Sequence, residues 1–152
     1  MYLQKFIAGL TNPVLACILS TNMADRKDRH KMYKIFALLE VLDKDKRYDP
    51  ESYSFVMASL SFTMKKLGRK GHVTGQELLE GIREYALEQF GPMARTVLEY
   101  WGIKSTNDFG VIVFNMIYVG MLGKTEQDSK EDFNNVYDFK TVFDKNCKYT
   151  LH

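Results

Sequence analysis

The sequence predicts an all-α protein, a compact bundle of about six helices in one domain. Three observations carry this expectation. Apolar residues recur at spacings of three and four along most of the chain, which gathers them on one face of a helix. Capping side chains stand just before those runs: an Asp49-Pro50 step, a T-x-x-E box from Thr74 to Glu77, and S-x-x-D boxes from Ser105 to Asp108 and from Ser129 to Asp132. Gly68, Gly91 and Gly102 follow the runs, where a left-handed residue closes a helix at no steric cost.

The elements follow in order. Met32, Ile35, Phe36, Leu39 and Leu42 predict a first helix over about 30–43. The charged stretch from Asp25 to Lys34, which leads into it, reads as a solvated arm, and Asp43 to Asp49 as a loop without apolar period. Pro50 starts the second helix, whose stripe is Tyr53, Val56, Met57, Leu60, Met64 and Leu67. Phe55 and Phe62 lie off that stripe, so this helix is expected to be buried on more than one side. Thr74 starts the third helix, with Leu78, Leu79, Ile82, Tyr85, Ala86 and Phe90 inward and Glu77, Glu80, Arg83, Glu84 and Glu88 outward. Pro92 restarts the chain as a fourth helix that buries Met93, Val97, Leu98 and Trp101. Ser105 opens a fifth on Phe109, Ile112, Val113, Met116, Ile117 and Leu122, ended by Gly120 or Gly123. A last short helix after Ser129 carries Phe133, Val136 and Tyr137. The run from Val136 to Phe143 stays open between helix, a short strand or wing, and an alternating tail.

Composition bounds the function. The 152 residues are 45% hydrophobic and 26% charged, with a formal net charge of +2. That is the make-up of a globular domain with no global field to draw in nucleic acid or an acidic membrane, so an electrostatic partner must be met by a local patch. Cys17 and Cys147 form neither a disulfide framework nor a metal-ligand spacing, and a cytoplasmic setting is expected. Residues 1–22 read as an extension or weak signal-like segment, 23–145 as the helical domain and 146–152 as a tail. Phe6 to Leu19 is too short and too interrupted by Asn12-Pro13 to span a membrane. The minor alternative is export, or lipidation at Cys17.

The stretches HVTGQELLEGIREYALEQFGPMA, VLEYWGI, STNDFG, LGKT, DSKEDF and VYDF, taken in that order, resemble an uncharacterised conserved bacterial family known from planctomycetes and verrucomicrobia. The resemblance covers about Asp43 to Phe143. It implies a small cytoplasmic protein whose members begin close to Met23, and it brings no activity. Asn107 and Val111 stand where that family favours acidic residues, which weakens any role for a carboxylate there.

Among chemical constellations, the DKDKRYD loop lacks the glycine and the bidentate glutamate of a calcium loop, holding Tyr48 and Ser54 instead. Glu77, Glu80, Glu84 and Glu88 read as a solvated helix face, since no E-x-x-H motif accompanies them to build a di-metal site. No metal, cofactor or catalytic motif is read. The best local basic cluster is Lys65, Lys66, Arg69 and Lys70, running into His72 at the start of the third helix. With Thr74 and Gln76 it is the candidate contact for a phosphate or other ligand, weighed against a solvated helix end that collects cations anyway. Tyr85, Tyr100 and Trp101 are the candidate interaction surface. The leading expectation is a non-enzymatic cytoplasmic interaction or adaptor protein, or accessory subunit, whose partner is another protein or an RNA-containing assembly. The alternatives are a nucleic-acid-binding protein using Lys65 to His72, and a small enzyme whose pocket collects His72 with Glu77 or Asp108.

Overall fold

Apolar spacing, caps and glycine stops yield five α-helices over residues 26–144, the part of the chain that this computed structural model describes. They are α1 (Arg26–Lys44), α2 (Pro50–Leu67), α3 (Gly75–Phe90), α4 (Ala94–Tyr100) and α5 (Thr106–Tyr118). Among the described residues there is no strand, and no helix is long and apolar enough to cross a membrane. The expectations for residues 1–22, Cys17, Cys147 and 146–152 lie outside the described residues.

The caps predicted at Asp49, Thr74 and Ser105 are all used. Asp49 accepts from the Glu51 amide at 2.9 Å, and Thr74 and Glu77 close a reciprocal capping box, as do Ser105 and Asp108. The first helix begins earlier than its apolar period, at Arg26, so the charged stretch expected as an arm is helical from that residue. Pro92 lies in a single 3-10 turn, Gly91–Met93, rather than at the start of an α-turn. That turn rotates the chain by about 120° per residue, against about 100° in an α-helix, and so breaks the phase of the pattern. Met93, expected inside, is therefore 54% exposed, while Leu98 is fully buried.

Helices α2 and α3 form the central contact. They approach so closely at Gly81 that a Cβ there would stand 1.7 Å from the Thr63 hydroxyl oxygen. The buried hydroxyls of Ser59 and Thr63 donate to carbonyls one turn back, Phe55 at 2.8 Å and Ser59 at 2.7 Å, so this dry contact leaves no orphaned polar group. Phe109, Ile112 and Met116 of α5 and Leu98 of α4 complete the core.

The C-terminal segment forms neither the strand nor the wing left open by its sequence. It makes a 3-10 turn, Lys130–Phe133, and a single π-turn, Lys140–Asp144. Phe139, Val142 and Phe143 are all buried. A strand would send alternate side chains outward, whereas this turn packs them together, with Asp138 accepting from the amide and hydroxyl of Thr141 at 2.9 Å each.

The loop after α1 corrects another expectation. It is not merely solvated: Tyr48 is buried and its hydroxyl donates to Asp108 at 2.7 Å. Arg47 donates to both oxygens of Asp45 at 2.8 and 2.6 Å, and the Asn115 side-chain amide donates to Asp45 at 3.1 Å. The Arg47 guanidinium, helped by Asn115 and against the cost of burial, holds the Asp45 carboxyl down at about 2 from its ordinary 3.8. A depressed carboxylate stabilises the fold above its unfolded value and loses that contribution as pH falls through its folded one. Stability is therefore expected to fall between about pH 4 and pH 2, and Asp45→Asn to flatten that part of the profile. Urea midpoints measured at half-unit pH steps check this; parallel profiles for both proteins would show that Asp45 is not the titrating group.

Candidate functional site

The basic cluster starts where α2 stops. Gly68 takes the left-handed conformation and its amide donates to Lys65 O at 3.2 Å, which leaves Lys65 and Lys66 in the last turn of α2 and Arg69 and Lys70 beyond it. Antiparallel packing of α2 on α3 then sets carboxylates beside some of them. Lys66 pairs with Glu84, and Arg69 with Glu77. Glu77 also accepts from the Thr74 amide at 2.9 Å, and that bond, with Arg69, holds its carboxyl below the usual range. Thr74 is spent as the cap of α3, Gln76 is exposed, and Lys65 and Lys70 are exposed cations with no ion pair among the described residues. The outward carboxylates of α3 are thus counter-charges to the cluster, and Arg83 pairs with Glu80 on the same face. Exposed pairs of this kind contribute little to stability, but they compensate two of the four cations of the cluster.

His72 belongs to a different arrangement. Its Nε2 lies 2.8 Å from both oxygens of Asp128, which is far away in sequence. Asp128 is fixed in turn by Thr125, whose amide donates to it at 2.7 Å and whose hydroxyl donates at 3.1 Å. Burial pushes the Asp128 carboxyl up, but the Thr125 amide and the His72 hydrogen bond outweigh it and the net direction is down. This pair sits at the rim of a half-open pocket of about 180 Å³. The walls are Leu60 from α2, Leu78 from α3, Val113, Phe114 and Ile117 from α5, and Val73, Leu122 and Phe133 from the connecting segments. Ser129 and Asp132 complete the rim. The Lys124 ammonium lies 5.5 Å from the centre of the Phe114 ring.

Of the groups an enzyme pocket was expected to collect, only His72 is there. Glu77 is held in its capping box, and Asp108 accepts from the amides of Lys104 and Ser105 at 2.8 and 3.0 Å and from Tyr48. The Tyr48 hydroxyl is pushed up by burial and by that bond to Asp108. Among the described residues, no three His, Cys, Asp or Glu side chains converge as a metal site requires.

The expected aromatic surface divides. Tyr100 is 84% exposed. Tyr85 and Trp101 are half-buried against Phe55, with ring centres 5.5 and 5.6 Å away, and Phe90 meets Trp101 edge to face. These rings pack one another across α2, α3 and the end of α4, and only Tyr100 stands clear.

Asp128 was not among the residues singled out from sequence. A local signal exists in Thr125 and Asp128, which are spaced as in the capping boxes, but nothing local points to His72 as the partner. Compared with known family models, curated proteins and solved structures, the chain matches none of them.

Proposed function

We propose that the protein is a non-enzymatic binding protein, an interaction or accessory protein of the cytoplasm, which recognises a small apolar group in the pocket between α2, α3 and α5. The observation that carries this is the coincidence of an apolar recess with the His72–Asp128 pair at its rim. Apolar walls with a few placed polar groups are the usual make-up of a ligand pocket. Its volume, about 180 Å³, suits one ring with a small substituent, since an apolar cavity of ~150 Å³ takes up benzene. The isolated cysteines support the cytoplasmic setting. The nucleic-acid alternative draws chiefly on Lys65 and Lys70, because Lys66 and Arg69 already face carboxylates.

The test is a titration with toluene followed by methyl-resolved NMR. Shifts are expected at Leu60, Leu78, Val113 and Leu122, and Leu122→Trp, which fills the mouth, should abolish them. Shifts scattered over the surface, or none at saturation, would defeat the proposal.

A further inference from the structure

We infer that the pocket's ligand is a neutral phenol whose O–H donates to Nδ1 of His72. The inference rests on the pocket reading above and adds the chemistry of the polar end. It follows from the tautomer of the imidazole. An ionised carboxylate has no proton to donate. Nε2 of His72 lies 2.8 Å from both oxygens of Asp128, so Nε2 must carry the hydrogen. The Asp128 carboxyl is held below its ordinary range, which keeps it ionised at neutral pH. Thr125 donates to it twice, through amide and hydroxyl, and fixes its orientation. In a neutral imidazole the other nitrogen is then an acceptor. Nδ1 accepts no hydrogen bond from any described residue. His72 lines the apolar pocket, and its ring carries a lone pair that no described residue uses.

The ligand must offer a donor to that lone pair and an apolar body to the walls. Phe114 and Phe133 supply aromatic surface for offset or edge contacts with a ring. One ring plus a hydroxyl suits the volume, and a phenolic O–H is a strong neutral donor. The same chemistry comes from a free phenolic molecule or from a tyrosine side chain offered by another protein.

The experiment uses the whole chain above pH 8, where imidazole is ordinarily neutral. Long-range ¹⁵N–¹H spectra of His72 should show hydrogen on Nε2 and none on Nδ1. The Nδ1 resonance should move when p-cresol is added and stay when toluene is added. His72→Leu should weaken p-cresol binding by roughly 3- to 10-fold, the size of one net hydrogen bond, while toluene affinity stays within about twofold. His72→Gln, which retains an acceptor, should recover part of the loss. A spectrum with hydrogen on Nδ1, or equal losses for p-cresol and toluene, overturns this inference and leaves the pocket reading intact. Failure of both probes to bind overturns the pocket reading itself. Once p-cresol binds as expected, N-acetyl-tyrosinamide separates the sources: comparable affinity assigns a partner's tyrosine, and affinity more than tenfold weaker assigns a free phenol.

Discussion

Phe133→Ala is expected to cost ~3–5 kcal/mol of stability, the range for truncating a fully buried aromatic ring. Phe133 is 3% exposed and closes the gap between two helices that have glycine at the point of contact. A Cβ on Gly75 of α3 would lie 3.0 Å from its ring, and a Cβ on Gly110 of α5 2.8 Å from its own Cβ. The surrounding segment is latched independently, by Val136 N–H to Thr106 Oγ1 at 3.1 Å and by the Tyr137 hydroxyl to Leu79 O at 3.0 Å. Collapse around the missing ring is therefore limited, and the larger cavity-type cost applies. Because Phe133 also lines the pocket, the variant should accept larger apolar probes than the parent. Urea unfolding measures the first effect and a titration with naphthalene the second. A loss under about 1 kcal/mol would mean that the site refills by relaxation.

Gly102→Ala is the second large effect, expected at about 3 kcal/mol or more. Two costs add. Gly102 has φ 89°, where any Cβ is strained by about 1–2 kcal/mol. A Cβ there would also stand 2.2 Å from the carbonyl oxygen of Arg47, and a backbone atom cannot swing aside as a side-chain end does. Gly68→Ala supplies the comparison, since Gly68 has φ 64° and nothing within 4 Å of the added atom. It should show the conformational cost alone. Similar unfolding midpoints for the two variants would show that the loop yields without penalty.

Much of the fold was legible because its signals are local. Thr74 with Glu77, Ser105 with Asp108 and Ser129 with Asp132 form the boxes their spacing implies, and a cap needs only neighbours along the chain. The parts that misread depend on distant groups. Tyr48 sits in a charged run without period, and only Asp108 and the close approach at Gly102 explain its burial. Met93 follows helical spacing, but the 3-10 turn before α4 shifts its phase.

The same distinction applies to the site. Reading Lys65 to His72 as one patch follows from adjacency in sequence. In space the patch is divided, because α3 brings Glu77 and Glu84 alongside Arg69 and Lys66 while Asp128 arrives from beyond α5 to meet His72. Charge type was readable at every one of these positions, and pairing was not, since pairing is set by the docking of helices. The apolar residues of the pocket were likewise expected as helix faces; a recess among them arises only from how three helices and two connections meet.

The junction at Gly102 also has a consequence for how the molecule opens. The Asp49 amide donates to Trp101 O at 3.0 Å, so one backbone hydrogen bond ties the entrance of α2 to the exit of α4. In native-state hydrogen exchange the Asp49 amide is therefore expected to be protected although it lies in a loop, and its exchange reports the parting of the α2 entrance from the α4 exit.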